Sequence, residues 1–218
     1  MTMLETDLLL RCRAIGTSTW SDALDACGID GVVSGLPQRS GAGRFAAFAV
    51  TARETAGGRG AFPRTAFGIG PIIAAVGPGQ VLLIDLGGAE ISTFGGLAAF
   101  ATLQRGAAAV VIDGACRDLD EIRHHGLWLA SRFVTPMTGK TRLRLDGINE
   151  PVMIGGIPAR AGDLVVGDDT GIVIVPRDDL ERVLEEAEKM VAIDLKMEKA
   201  IEGGASFQEA AAQANYIR

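Results

Sequence analysis

Two continuous apolar runs dominate the pattern of hydrophobic and polar positions along the 218-residue chain. They are residues 81–85 (VLLID) and 109–113 (AVVID), and each ends in an aspartate. Runs of this length without polar alternation are typical of strands that are buried on both faces. A helical pattern from about 96 to 105 lies between them. Strand, helix and strand predict a parallel βαβ crossover, which is the signature of an α/β fold.

Weaker hydrophobic patterns predict further helices and strands on both sides of this unit. The first third predicts helices over 4–14 and 20–26, the second capped by Thr17–Thr19, then a strand over 45–55 and a short helix within 66–76. The remainder predicts mostly short β segments, at 127–134, 142–148, 152–157, 164–166 and 172–175. A long charged helix follows, from about 178 to 202, and Gly203 ends it. Because no linker or repeat interrupts the pattern, we expect one domain over 1–218.

Composition and charge argue against several classes of function. The net charge of −6 comes from interspersed residues, and no block of Lys and Arg could follow a nucleic-acid backbone. No apolar run approaches the roughly 18 residues of a membrane span, and the N-terminal segment lacks a secretory pattern. The three cysteines, Cys12, Cys27 and Cys116, form no close pair, as in proteins of reducing compartments. We therefore expect a soluble, cytoplasmic protein with no direct nucleic-acid or membrane partner.

The second apolar run leads into the most informative motif. Asp113 is followed by Gly-Ala-Cys and then by Arg117 and Asp118, at the predicted start of a helix. Ligands of open α/β sheets bind beyond the carboxyl ends of strands, so a cation beside an anion at this place indicates a candidate site. The alternative is that Asp118 only caps the helix, with Arg117 as its solvated neighbour.

A glycine-rich stretch provides a second candidate element. Gly95, Gly96 and Leu97 open the helix that follows Ser92 and Thr93. Free backbone N–H groups at such a helix start favour a carboxylate ligand. The alternative is that the glycines simply allow the helix to pack closely on the sheet.

Three other motifs are rejected. Thr138–Thr141 matches the end of a phosphate-binding loop, but Val134 stands where the first glycine is required. No glycine fingerprint for a dinucleotide is present. The adjacent histidines His124 and His125 point to different faces of a helix and lack the spacing of zinc ligands.

The order of the segments resembles one family. The segments that carry the resemblance are Gly79 with the first apolar strand, the Gly95-Gly96-Leu97 helix start, 111–118 (VIDGACRD), Gly155-Gly156, 162–166 (GDLVV) and 168–176 (DDTGIVIVP). Together they resemble the class II pyruvate aldolases, which include 4-hydroxy-4-methyl-2-oxoglutarate and 4-carboxy-4-hydroxy-2-oxoadipate aldolases and also the regulator of ribonuclease activity A. The resemblance spans roughly residues 18 to 202.

The resemblance implies a swivelling α/β/β single domain of the ribonuclease-activity-regulator type. It implies a homotrimer or a dimer of trimers, in which the C-terminal helix of about 178–202 packs on a neighbouring subunit. It also implies Mg²⁺, Mn²⁺ or another divalent cation held by Asp118, with Arg117 on the 2-oxo group of a small acid. Backbone amides of Gly95, Gly96 and Leu97 would hold the carboxylate of that acid, and Asp194 of a neighbour would supply a further acidic group.

One position departs from the aldolase pattern. The residue between Gly95 and Leu97 is usually acidic in the aldolases and is Gly96 here. Retro-aldol cleavage needs a base, whereas decarboxylation does not, so the departure weakens the first reaction more. We expect a metal-dependent lyase that forms pyruvate through an enolate, by cleaving 4-hydroxy-4-methyl-2-oxoglutarate-type substrates, by decarboxylating oxaloacetate, or both. The alternatives are a regulatory protein that binds and inhibits a ribonuclease, and a lyase or isomerase for a different acid.

Overall fold

The computed structural model describes residues 3–216, which form α-helices and β-strands along the whole chain. The helices are α1 (Met3–Ala14), α2 (Thr17–Ala26), α3 (Ile69–Ala75), α4 (Gly96–Gln104), α5 (Leu119–His125), α6 (Leu180–Glu202) and α7 (Phe207–Ala214). The strands are β1 (Gln38–Ser40), β2 (Phe45–Ala56), β3 (Gln80–Asp85), β4 (Ser92–Phe94), β5 (Ala109–Cys116), β6 (Leu129–Val134), β7 (Leu143–Ile148), β8 (Val152–Ile154), β9 (Ile157–Ala159), β10 (Leu164–Gly167) and β11 (Ile172–Val175).

The two apolar runs form the centre of a mixed sheet. Its order is β1-β6-β5-β3-β2-β10-β11, with β4 added on β5 and β7 on β2. β3 and β5 are parallel, with Val81 opposite Ala109 and Asp85 opposite Asp113, which confirms the predicted βαβ unit. Every residue of β5 is buried. Burial on both faces explains why neither run alternates with polar residues.

Alternate residues of the central strands face two different apolar layers. Leu82 and Ile84 pack with residues of α3, α4 and α5, such as Ile72, Ala99 and Ile122. Val81 and Leu83 pack on the other face against the β8–β9 hairpin. The molecule is thus layered as helices, large sheet and small sheet, which confirms the α/β/β prediction.

The small sheet is fixed to the large one by the two strand-end aspartates. The carboxylate of Asp113 accepts hydrogen bonds from Arg132 at 2.7 and 3.1 Å and from the Gly155 amide at 2.7 Å. The carboxylate of Asp85 accepts from the Gly87 amide at 2.8 Å and from the Met153 amide at 3.0 Å. Both aspartates therefore connect layers of the fold.

Several local predictions differ from the structure. The second helix begins at Thr17 rather than Trp20, and its N-cap is Gly16 without a side-chain cap. Thr17 instead bonds the carboxylate of Asp168 through its amide and its hydroxyl. The segment 152–157 is not one strand, because a turn at Gly155 and Gly156 divides it into a hairpin. The sequence reading also missed the short strands β1 and β4 and the last helix, α7.

The long charged helix is confirmed over Leu180–Glu202, after a 3₁₀ turn at Arg177–Asp179. Its apolar face packs in the same cluster as residues of α1 and α2, for example Val183 against the side of Trp20 and Leu24. Its C-terminal part packs on α7 through Met197 and Ala210. No helix within residues 3–216 is both long and apolar enough to span a bilayer.

Candidate active site

A cavity of about 450 Å³ opens where β4, α4 and α5 meet beyond the carboxyl end of β5. Its walls come from four separate segments of the chain. The lining residues are Phe67, Ile69, Ser92, Thr93, Gly95, Leu97, Ala98, Arg117, Asp118, Glu121, Thr138 and Lys140. The structure therefore brings together the strand-end motif and the glycine-rich stretch, which are more than 20 residues apart in the chain.

Arg117 and Asp118 lie at the mouth of the cavity with their side chains about 40% exposed, at 38% and 39%. Asp118 stands at the N-cap position of α5 in the left-handed region, with φ 53°, and its side chain makes no capping hydrogen bond. Its carboxylate instead lies 3.3 Å from the Gly96 amide and 3.4 Å from Nε of Arg117. The capping alternative is therefore wrong for the side chain. A non-glycine residue held at positive φ is uncommon and marks a constrained site.

The two glycines of the neighbouring stretch leave room for these side chains. A Cβ on Gly95 would collide with the carboxylate of Asp118, and a Cβ on Gly96 would overlap that of Glu121. Gly95 and Leu97 line the cavity, whereas Gly96 is buried behind it and its amide already donates to Asp118. Gly96 is thus required by the close approach of the Glu121 side chain on α5, not by packing of α4 on the sheet. The backbone at Gly95 and Leu97 remains available for contact with an anion.

Glu121 is the site residue that the sequence reading missed. It lies in the first turn of α5, three residues after the N-cap residue Asp118, and both residues line the cavity. Its carboxylate occupies the space beside Gly96. Among residues 3–216 it has no hydrogen-bond or ion-pair partner, although it lies beside the ion pair of Arg117 and Asp118.

The donor set fits a small divalent cation. Mg²⁺ in proteins is held by one or two carboxylates and keeps several water molecules, which matches Asp118 and Glu121 at an open cavity. Within residues 3–216, no cluster of three or more His, Cys, Asp or Glu side chains is placed to hold a metal. Softer, fully enclosed sites of the zinc type are therefore not formed within the described chain.

The other candidate residues lie elsewhere. Asp194 is on α6 and does not line the cavity in this chain. His124 stacks edge-on against His125 at the far end of α5, and neither lines the cavity. Cys116 is buried, bonds to Ser131 at 3.4 Å, and burial raises the pKa of its thiol, so it is not an activated nucleophile.

Comparisons with known proteins show the family to which the chain belongs. Residues 17–174 match the family model described as RraA-like, aldolase/RraA. A Halalkalibacterium halodurans protein, provisionally named 4-hydroxy-4-methyl-2-oxoglutarate aldolase, is 31% identical over 92% of this chain and 91% of its own length.

Two solved structures share the fold. One is an uncharacterized protein from Pseudomonas syringae, with a TM-score of 0.83, 27% identity, and coverage of 94% of this chain and 96% of that one. The other is Streptomyces coelicolor RraAS2, described as an unusual member of the RNase ES inhibitor RraA family, with a TM-score of 0.75, 25% identity, and coverage of 83% and 91%. With the family model matched over most of its length, this chain belongs to the RraA-like aldolase/RraA family.

Proposed function

We propose that this protein is a divalent-metal-dependent lyase that forms pyruvate from small 2-oxo acids. The observation that carries the proposal is the convergence of Arg117, Asp118 and Glu121 at one open cavity, with one carboxylate left without a partner. A provisionally named aldolase that aligns over nine-tenths of the chain supports the same reaction class.

Asp118 and Glu121 are the residues that would hold Mg²⁺ or Mn²⁺, completed by water. When bound there, such a cation would polarise the substrate carbonyl and stabilise negative charge on its oxygen. Asp118 and Glu121 line the same cavity, so two carboxylates without a cation between them would repel each other there.

Arg117 is the group that would act directly on the 2-oxo oxygen. The C3–C4 bond of oxaloacetate breaks, carbon dioxide leaves, and the bonding electrons move into an enolate whose oxygen gains charge. A guanidinium offers fixed donors to that oxygen, and because Arg117 is already held near Asp118, little reorganisation is needed. A proton from solvent at C3 then gives pyruvate.

The carboxylate of the substrate needs a separate positive region. Lys140 lines the same cavity, and so do the backbone positions of Gly95 and Leu97 at the start of α4. The N-terminal dipole of a helix favours an anion at this place. The substrate carboxylate is thus assigned to Lys140 and the start of α4, and the metal ion to Asp118 and Glu121.

Glu121 also bears on which reaction is performed. The family's usual acidic side chain after Gly95 is absent, but the carboxylate of Glu121 fills the space beside Gly96. An acidic group is thus restored near the same place from a different helix. We expect oxaloacetate decarboxylation as the main reaction, and slower retro-aldol cleavage of 4-hydroxy-4-methyl-2-oxoglutarate, because retro-aldol cleavage needs a base and the family's usual acidic residue is Gly96 here.

We further propose a homotrimer or dimer of trimers in the cytoplasm, with the neighbour's Asp194 completing the site. Leu97 is 84% exposed and Phe100 47% exposed on the outer face of α4, beside the cavity. Adjacent exposed apolar side chains of this kind mark an interface. Sedimentation would give three or six subunit masses, whereas a monomer would remove Asp194 from the proposal.

The test is pyruvate release from oxaloacetate and from 4-hydroxy-4-methyl-2-oxoglutarate, each with Mg²⁺ and with a chelator. We expect metal-stimulated release from oxaloacetate at a rate well above the spontaneous one. Absence of release from both, with the fold intact, would overturn the proposal. Capture of a ribonuclease together with inhibition of its cleavage would then favour the regulatory alternative, which rests on the described activity of RraAS2's family.

A further inference from the structure

A buried carboxylate without a hydrogen-bond partner lies outside the site described so far. Glu54, on β2, is only 4% exposed, and neither of its carboxylate oxygens has a hydrogen-bond partner. The hydroxyl of Thr93, also buried, is the polar group that faces this carboxyl, although the two do not meet at hydrogen-bond geometry. Buried polar groups are nearly always fully paired because an unpaired one costs free energy, so a carboxyl with only this weak partner is poorly stabilised in its charged form.

The position of Glu54 connects it to the cavity. Val50 and Ala52 precede it on the same strand and belong to the apolar cluster beneath α3 and α4. The alternation of a strand places Glu54 on that face as well. Thr93, whose hydroxyl influences the carboxyl of Glu54, forms part of the cavity wall beside Gly95. Glu54 therefore lies directly behind the wall of the cavity and does not enter it.

The charge of this carboxyl changes near neutral pH. Burial raises the pKa of Glu54 to about 7, Asp146 adds to the rise, and the Thr93 hydroxyl opposes it. The charged side chains around Glu54 come from three places. On its own strand there is Arg53, which pairs with Glu150; on β7 there are Asp146, which acts on Glu54 directly, and Arg144; the cavity beyond Thr93 is lined by the charged residues Arg117, Asp118, Glu121 and Lys140. Helices α3 and α4, which cover this face, carry no charged side chain.

We propose that Glu54 determines the affinity of the cavity for its anionic substrate, in its neutral form permitting binding and in its ionised form weakening it. This proposal rests on the proposed function, because it requires that the cavity binds an anion. The reason is electrostatic: a negative charge behind the wall repels a substrate that carries one or two carboxylates, and the surrounding apolar cluster screens that repulsion poorly. Glu54 does not touch the substrate and acts only through its charge, from behind the part of the wall that Thr93 forms.

The test uses oxalate, a flat dianion shaped like the pyruvate enolate, with Mg²⁺ present and calorimetry as the readout. For the unaltered protein, we expect affinity to fall by about tenfold as pH rises from about 6 to about 8, since one unit charge is added near the anion. Glu54→Gln keeps the size of the side chain and removes the charge. We expect its affinity to stay nearly constant over the same range.

Two further variants should shift the pH at which oxalate affinity falls, and they should do so in opposite directions. Thr93→Val removes the group that lowers the pKa of Glu54, so the fall in affinity should move to higher pH. Asp146→Asn removes the neighbouring negative charge that raises that pKa, so the fall should move to lower pH. The matched control is Thr102→Val, which removes another buried hydroxyl without a partner from α4, away from the cavity wall. The pH dependence of oxalate affinity in this control should coincide with that of the unaltered protein.

Infrared spectroscopy without any ligand tests directly whether the Glu54 carboxyl changes charge. The infrared carbonyl band of a protonated carboxyl should be present near pH 6, decline through about pH 7, and be missing in Glu54→Gln. Because the folded-state pKa is raised, the native protein binds more protons than the unfolded chain between about pH 4.5 and about pH 7. The melting temperature should therefore fall as pH rises through this window, and less so in Glu54→Gln.

The outcomes separate the two proposals. A fall in oxalate affinity that disappears in Glu54→Gln supports the inference, and the opposite shifts of the Thr93 and Asp146 variants support it even if that variant folds poorly. An identical fall in Glu54→Gln, or absence of any fall, overturns the inference and leaves the lyase proposal standing. Absence of oxalate binding at every pH, with Mg²⁺ bound, overturns both.

Discussion

Two arginine–aspartate pairs lie close to the end of the same strand, and they differ in almost every physical respect. Arg132 and Asp113 meet at 2.7 Å, and the Asp113 side chain is 7% exposed. Arg117 and Asp118 lie 3.4 Å apart, each with more than a third of its side chain exposed. The first carboxylate has three donors, whereas the second receives one amide at 3.3 Å.

The comparison teaches how one motif supplies both structure and chemistry. A buried carboxylate must be fully hydrogen-bonded, and Asp113 meets this requirement by joining the hairpin to the sheet. An exposed carboxylate with spare lone pairs is available to a ligand, and Asp118 is held in that state by a left-handed backbone. We therefore expect substitutions in the first pair to change stability and those in the second to change turnover.

The largest contrast should come from the two aspartates. Asp118→Asn keeps a residue type that tolerates positive φ, and we expect it to lower metal-stimulated kcat/KM by at least about a hundredfold, because one donor to the metal is lost. Its melting temperature should stay unchanged. Asp113→Asn should instead lower the free energy of unfolding by about 2–4 kcal/mol, because it leaves Arg132 with a poorer partner. Pyruvate assays and urea titrations on both variants measure this, and equal stability losses would contradict the comparison.

A smaller contrast should come from the two arginines. In Arg117→Lys, a point charge replaces a fork of donors, so we expect about a tenfold to hundredfold loss in kcat with little change in stability. In Arg132→Lys, the bidentate contact to Asp113 is lost, and about 1 kcal/mol of stability should go with it. Turnover in Arg117→Lys equal to that of the unaltered protein would remove Arg117 from the mechanism.

Glu121→Gln tests the residue that lacks a partner. Removing its charge should weaken Mg²⁺ binding by about tenfold, since one of two carboxylates is neutralised. Stability should not fall, because no hydrogen bond or ion pair of Glu121 is lost within the described chain. Titration of Mg²⁺ by calorimetry measures the effect, with Asp120→Asn, on the same helix but outside the cavity lining, as the matched control. Equal Mg²⁺ affinity in the two variants would exclude Glu121 as a ligand.

The smallest effect should come from Gly96→Ala. A methyl group at this position overlaps the carboxylate of Glu121, which must then move away from the cavity. We expect Mg²⁺ affinity to fall several-fold and stability by about 1 kcal/mol from overpacking. Gly58→Ala, where a Cβ meets nothing within 4 Å, is the control. Combining Gly96→Ala with Glu121→Gln should add nothing further to the loss of metal affinity.

The sequence predicted the elements that have a clear period. Central strands and α5 were found at or near their observed bounds, because their apolar runs are long or bounded by glycine. The three-residue strands β1 and β4 were missed, since three residues carry no measurable period. Helix α7 was missed although a signal existed: Ser206 and Glu209 form a capping box.

The site was predicted in part for a similar reason. Arg117, Asp118 and the glycine stretch were each found as separate candidates, and only the family resemblance placed them in one site, because the strand β4 that brings the glycine stretch beside β5 was not predicted. Glu121 was missed because its closeness to the motif depends on the entry of the chain into α5 at the left-handed residue Asp118, which the sequence pattern does not show. Glu54 could not be found, because its burial depends on β7 and on Thr93, both distant in sequence.

Strand β2 has a consequence for the way the chain folds. It pairs with β3 and β7 and also with β10, so Phe48 lies opposite Leu164 across more than a hundred intervening residues. Contacts of such long sequence separation slow folding, because the loop must close before the pairing stabilises it. During synthesis, the residues around Arg117 leave the ribosome well before β10 does. The sheet edge at β2 must therefore wait for the last third of the chain, and that interval is when an unpaired edge is most exposed to aggregation.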